Sequence, residues 1–407
     1  MKSFKTGSSA QGRPTDNSGA CVPFGFLLDD LSSPVMKSEE GQAMKKAFRK
    51  YDWMDAGMEI NRRDLLKAGV AGVTAAGLTA IPEVSHSQKP AEFKFRLQSF
   101  LGPGWKEWEE MLPRFAKRVK DMSGGRIEIT LYPPAALIPT FELLDGVGRR
   151  VVEMGYGAQL YWKGFFPFTE WAWGIPFAFD VVDHYDYLWW EAGMTQLVRE
   201  AFATKNVFFL APVYSDEWGS TISRKPIRRL TDFKGLKIRS GGIGGEIWKT
   251  YGAGIVRLPG EELYTGISTG VIDGANWGSP YGNIATKLHE VAKHYTLPSI
   301  IAYDMEDLFI NMDAWKSMPK DLQECFILAC RVFALERASY STYLSCLALE
   351  TMKKAGVHIY YLPKEDIDAM KKLTWELVDK LAGKDDYTQR CLKIIRDTMK
   401  VYDMRRT

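Results

Sequence analysis

The segment Leu236-Lys237-Ile238-Arg239-Ser240-Gly241-Gly242 carries the clearest chemistry in the chain. Its first four residues alternate, so in a strand Leu236 and Ile238 share one face while Lys237 and Arg239 share the other. Arg239 then stands at the carboxyl end of a strand, directly before glycines and a helix start, the edge at which open α/β sheets receive ligands. A guanidinium offers a fixed fork that matches a carboxylate through two parallel hydrogen bonds. Glycines beside it leave room for a ligand, and the free N–H groups of a helix start favour an anion. The residues alone leave a second reading open, an ordinary surface ion pair of small energetic weight.

Enzyme chemistry finds little support. The five histidines, His86, His184, His289, His294 and His358, are scattered, and His289 and His294 lie five apart, the wrong step for two ligands on one helix face. Gly241-Gly242-Ile243-Gly244-Gly245 is glycine-rich but lacks the dinucleotide spacing. No C-x-x-C pair occurs among Cys21, Cys325, Cys330, Cys346 and Cys391. These read as buried small side chains, with one disulfide left open if the chain reaches an oxidising compartment. A net charge of +3 with interspersed signs argues against a nucleic-acid partner. Aromatic residues make up 13% of the chain, including 13 Trp, and such rings suit the apolar walls of a small-molecule cleft.

The elements that must position Arg239 follow from periodicity. Phe93 to Gln98 alternates as a strand, and Trp105 to Met122 reads as a helix that Pro113 should break, ending at Ser123-Gly124-Gly125. Arg126 to Tyr132, Val152 to Tyr156, Lys205 to Val213 and Leu308 to Asn311 read as further strands, with a helix from Thr140 to Arg150. Alternating strands and helices imply a mostly parallel sheet. From Asp321 onward the pattern is helical: Leu322 to Leu349, Lys364 to Leu381 and Tyr387 to Tyr402, with a lone strand at Gly356 to Tyr360.

Near the start, Arg62-Arg63 precedes a short Gly/Ala-rich apolar run that ends at Ile81, with small residues at Ser85 and Ser87. This pattern reads as a twin-arginine export signal, and the run is too short for a spanning helix. Residues 1–57 form an unusually long leader, with Met58 as an alternative start, and 58–87 form the signal.

Leu230-Thr231-Asp232-Phe233-Lys234-Gly235, the Arg239 segment, Glu262-Leu263-Tyr264, Gly270-Val271-Ile272-Asp273-Gly274 and Asn276-Trp277-Gly278-Ser279-Pro280-Tyr281 together resemble the periplasmic solute-binding subunits of TRAP transporters, nearest to the α-keto-acid-binding branch. The resemblance runs from about Phe93 to the C-terminus. It implies a two-lobed α/β periplasmic-binding-protein fold with hinge strands and a helical C-terminal tail. Residues 88–212 with about 303–345 would form the first lobe, and 213–302 with about 346–407 the second lobe and the C-terminal helices. It further implies a periplasmic binding protein, not an enzyme, that passes a small carboxylate such as a keto or hydroxy acid to membrane permease subunits, with a homodimer left open. Arg239 would clamp the carboxylate, with Trp277 as an aromatic wall, Tyr161 as a hydroxyl donor, and Tyr214, Gln159, Trp218, Asn276 and Tyr281 as further ligand contacts. Members of that branch hold a metal through a Gln, a Glu and a backbone carbonyl. Trp218 and Asn276 stand at the first two places, so sodium or calcium is left open, with Glu217, Asn276 and Trp277 as candidate ligands. An exported enzyme, or a binding protein feeding a sensor, are the alternatives.

Overall fold

The computed structural model describes residues 90–404, so the leader and the export signal lie outside the described residues. Two sheets organise the chain. The first contains β1 (Phe93–Ser99), β2 (Ile127–Tyr132), β3 (Met154–Ala158), β4 (Val207–Tyr214) and, much later in the chain, β10 (Met305–Asn311). The second contains β5 (Thr221–Ser223), β6 (Lys237–Arg239), β7 (Gly254–Val256), β8 (Gly274–Asn276), β9 (His294–Leu297) and β11 (His358–Tyr361). Each sheet with its helices forms one lobe, as expected for the two-lobed α/β architecture.

The helices that matter for the site are α1 (Leu112–Met122), α2 (Thr169–Trp173), α3 (Val182–Trp190), α4 (Met194–Ala203), α5 (Gly242–Thr250), α6 (Pro280–Ala285), α7 (Lys320–Lys354), α8 (Lys364–Leu381) and α9 (Asp386–Asp403). Pro113 falls in the first turn of α1, where its missing N–H costs nothing, and Glu107–Met111 ahead of it winds as a π-helix. The expected break is there. Gly124 and Gly125 then take positive φ values of 62° and 83°, which end α1 and turn the chain into β2.

The first sheet departs from the expected parallel arrangement. β1 runs parallel to β2 and β3, but β10 is antiparallel to both β3 and β4. The reason lies in the path of the chain, which leaves the first lobe after β4, builds the second sheet, and re-enters from that side through β10. The strand expected at Val152 to Tyr156 sits two residues later, because Arg150 adopts a left-handed turn and Val152 is spent on reaching the sheet.

Helix α7 is 35 residues long and packs on β4 and α1 of the first lobe and on α6 and β11 of the second. Helix α8 packs on α5 of the second lobe. The last helix differs from expectation: α9 crosses back to the first lobe and packs on α2, α3 and α4, although residues after about 346 were assigned to the second lobe. Its apolar face explains why. Tyr387 meets Phe168 at 5.7 Å between ring centroids, Tyr402 lies 3.7 Å from the His184 ring, and Arg390 pairs with Glu200 at 2.8 Å. Cys325, Cys330, Cys346 and Cys391 all carry free thiols, so no disulfide forms among the described residues. No helix of the described residues is long and apolar enough to cross a membrane.

Candidate functional site

Arg239 ends β6: Lys237, on its face of the strand by the alternation, is exposed, Ile238 on the other face is buried in the core, and Arg239 is buried at the cavity wall. The guanidinium is only 4% exposed. Its Nε donates to the Leu258 carbonyl at 3.0 Å, and Nη1 donates to the Asn276 carbonyl at 3.4 Å. The Tyr161 phenol is the side chain it meets across the cleft. Burial lowers the Arg239 pKa, Tyr161 pulls it back up, and no carboxylate among the described residues forms an ion pair with it. The following glycines serve the closeness of the lobes. A Cβ on Gly241 would stand 2.8 Å from Leu160, and Gly242, at φ +59°, leaves 3.1 Å to Trp173.

Arg239 opens onto a cavity of about 460 Å³ between the lobes, part of it continuous with solvent. Aromatic rings form much of the wall, including Phe100, Trp105, Tyr161, Trp173, Trp218 and Trp277. Trp218 meets Trp173 edge to face at 4.6 Å, and Trp105 meets Trp277 in the same way at 6.4 Å. Tyr161 is held by Phe100 and Phe141, and burial pushes its phenol up to about 12 against the pull of Arg239. It is therefore a neutral hydroxyl, able to donate to a bound oxygen. The lobes touch around the cavity: Thr140 donates to Glu261 at 2.6 Å, and Arg257 donates to the Tyr161 carbonyl at 3.2 Å.

The opposite wall holds groups that sequence reasoning missed. Arg337 of α7 is 1% exposed, and its Nη2 and Nε reach the two oxygens of Glu306 at 2.9 and 3.3 Å. Its Nη1 lies 3.0 Å from Glu107, 3.7 Å from Asp216, and also bonds Ser341. Burial works against the Arg337 charge, but Glu107 and Glu306 dominate and raise its pKa well above the usual value. Asp304 accepts from the Ser215 hydroxyl and from Trp173 Nε1, the latter at 3.0 Å. Burial pushes its carboxyl up to about 6, with Ser215 and Arg337 pulling the other way. One signal for Arg337 exists in the sequence. Phe326, Cys330, Phe333, Arg337, Ser341 and Ser345 step by three or four along the buried stripe of α7, so a charge stands where an apolar residue belongs.

Of the expected ligand contacts, Arg239, Trp277, Tyr161 and Trp218 line the cavity. Tyr281 does not; its hydroxyl donates to Glu107 at 3.0 Å and accepts from the Lys106 N–H, behind the wall. Tyr214 donates to Asp186 at 2.9 Å, away from the cleft. Gln159 is fully buried beside Asp307. Asn276 is spent on the fold: Nδ2 donates to the carbonyls of Gly219 and Ser220 at 2.5 and 3.2 Å, and Oδ1 accepts from Ser240 at 3.1 Å. Gly266-Ile267-Ser268-Thr269-Gly270 spells the G-x-S-x-G string of serine hydrolases, but Ser268 is exposed and donates back to the Thr265 carbonyl, with no base beside it.

The same geometry tests a metal held as the α-keto-acid branch holds it. Trp218 has no oxygen donor in its side chain, and the Asn276 oxygen already accepts from Ser240. Glu217 is the nearest carboxylate in sequence, and burial pushes it up to about 7 against the pull of Ser299. No three His, Cys, Asp or Glu side chains among the described residues converge as a metal site. The side chains of Glu217, Asn276 and Trp277 do not fit such an ion.

Comparisons with known proteins agree with this architecture. The family model described as bacterial extracellular solute-binding protein, family 7, matches residues 105–385. A monocarboxylate 2-oxoacid-binding periplasmic protein of Nostoc sp. is 27% identical over 337 residues, covering 80% of this chain and 90% of its own length. A TRAP periplasmic solute-binding protein from Pseudoalteromonas atlantica, solved with sodium and pyruvate, superposes with a TM-score of 0.70 at 26% identity, covering 77% of this chain and 95% of that one. One from Colwellia psychrerythraea, solved with calcium and pyruvate, gives 0.69 at 26% identity, with 77% and 96% covered.

Proposed function

Because the chain belongs to family 7 of the bacterial extracellular solute-binding proteins, we propose that it captures a small organic carboxylate outside the cytoplasm and presents it to the permease subunits of a TRAP-type transporter. The observation that carries this reading is Arg239, a buried cation with no ion pair among the described residues, held at the wall of an inter-lobe cavity. A carboxylate there would meet the fork of the guanidinium and the Tyr161 hydroxyl, with indole rings excluding water. One desolvated pair of that kind plus apolar walls is enough for the roughly −8 kcal/mol of a micromolar complex.

A binding role without catalysis is the reading that the family and its relatives support. The ligand would act by favouring the closed arrangement of two lobes over an open one, in proportion to its differential affinity. Export through residues 58–87 as a twin-arginine signal, delivery to the periplasm and a homodimer of the mature chain belong to this reading as well. A thermal-shift screen of 2-oxo, 2-hydroxy and dicarboxylic acids tests it. Stabilisation should grow with ligand concentration and vanish in Arg239→Ala. A screen in which no carboxylate shifts the wild-type protein would sink the reading.

A further inference from the structure

The wall of the cavity that faces Arg239 is rich in carboxyl groups. The cavity's charged lining residues are Arg239, Arg337, Asp216, Asp304 and Glu306. Arg337 is consumed by Glu306, by Glu107 behind the wall and, more distantly, by Asp216. Arg239, on the second lobe, and Asp304, on the opposite wall, each lack an ion-pair partner. The hydrogen bonds that Asp304 accepts come from the neutral donors Ser215 and Trp173, and Arg337, already paired with Glu306 and Glu107, acts on it only from beyond ion-pair distance.

A second, independent feature surrounds Asp304. Trp173, which donates to its carboxylate, meets Trp218 at 82° between ring planes, and both indoles line the cavity. A carboxylate in a corner of indole rings is suited to a positive charge, which the rings attract through their quadrupoles.

We propose that the ligand is a carboxylate that also carries an ammonium group, its carboxylate on Arg239 and its ammonium between Asp304 and the Trp173–Trp218 corner. This rests on the carboxylate reading above and narrows it. It also accounts for the poor fit of a metal. The Pseudoalteromonas and Colwellia proteins were solved with sodium or calcium and pyruvate, whereas this chain has no side-chain oxygen at the Trp218 position and has Asp304, without an ion pair of its own, lining the cavity. The ligand's own cation supplies the missing positive charge. The upward displacement of the Asp304 carboxyl by burial agrees, since a buried acid without a counter-charge resists ionisation.

Isothermal titration of the exported protein, dialysed against EDTA, with matched acids decides the matter. Pyruvate, lactate and alanine form one set, and 3-methyl-2-oxobutanoate, 2-hydroxy-3-methylbutanoate and valine another. In at least one set the ammonium acid is expected to bind tenfold or more tightly than its 2-oxo counterpart. Asp304→Asn is expected to cost the ammonium acid at least tenfold more than it costs the 2-oxo acid. Tighter binding of the 2-oxo acid by the wild type in both sets, or an equal loss of both acids in the variant, overturns the inference. If 2-oxo acids bind in an Arg239-dependent way and ammonium acids do not, the carboxylate reading stands and this one falls. If no acid binds, both fall. The wild-type order of affinities decides even if the variant fails to fold.

Discussion

The guanidinium carbon of Arg239 lies 4.6 Å from the centre of the Trp277 ring, so the indole packs against the cation at the cavity wall. This cation–π contact, with the bonds to Leu258 and Asn276, holds the fork before any ligand arrives. Arg239→Ala removes the charge and the pre-set geometry together. The expected loss is about 3 kcal/mol, roughly a hundredfold in affinity, measured by calorimetry on the best carboxylate of the screen. Arg239→Lys should recover only a minor part, because a point charge cannot reproduce the fork.

Asp304 should leave a pH signature on the ligand-free protein. Its pKa is raised in the fold to about 6 by burial, against about 3.9 in an unfolded chain. A raised acid contributes stability that is complete below the unfolded value and is lost as pH climbs through the folded one. The loss between pH 4 and pH 7 is about 2 kcal/mol for this group. Arg337, Asp216 and Glu306 exert charge in the same neighbourhood. The clean measurement is therefore the difference in urea-unfolding free energy between wild type and Asp304→Asn across that range. A difference that does not change with pH would refute the assignment.

For a ligand with an ammonium group the same titration acts in the opposite sense. Affinity should rise as pH increases from 5 to 7, since Asp304 becomes the anion that the ligand needs. A 2-oxo acid should show no such rise. Titration calorimetry at the two pH values separates the cases.

Arg337→Met would leave Glu107, Glu306 and Asp216 without their shared cation in a dry wall. A loss of roughly 3–5 kcal/mol is expected from an uncompensated buried charge. Adding Glu306→Gln to the variant should return part of it, read as a recovery of the urea midpoint. Equal midpoints for the single and double variants would show that Glu306 does not depend on Arg337.

Asn276→Glu would place a carboxylate where the α-keto-acid branch carries one. Here it should destabilise the protein by about 1–3 kcal/mol, because the Nδ2 bonds to Gly219 and Ser220 need a donor that Glu lacks. A variant as stable as wild type, with or without calcium, would contradict the structural role given to Asn276.

Arg239 was legible because its setting is local. Arg239 is delivered by a three-residue strand followed by glycines, and alternation and turn chemistry announce both. The acidic wall was not legible, for a physical reason. Asp216, Asp304 and Arg337 come from segments some 33 to 121 residues apart, and nothing periodic in one of them reports the others. Asn276 was placed correctly in sequence and wrongly in role. Its neighbours in the fold are backbone carbonyls of Gly219 and Ser220, which a sequence cannot display. The antiparallel β10 was lost similarly, since strand direction depends on which lobe the chain returns from.

Asp216 lies on the segment between β4 and β5, and Asp304 on the segment between β9 and β10, two of the three stretches of chain that pass from one sheet to the other. That wall of the cavity is where a pivot between the lobes would lie. When the lobes part, groups at a pivot hardly travel, whereas Arg239 and Trp277 swing away with the second sheet. Contacts would therefore form in sequence in time: the ligand settles first against the stationary wall, and the guanidinium arrives last, as the door shuts. Substitutions at Arg239 should accordingly shorten the residence time of the ligand, while those at Asp304 should also slow its capture.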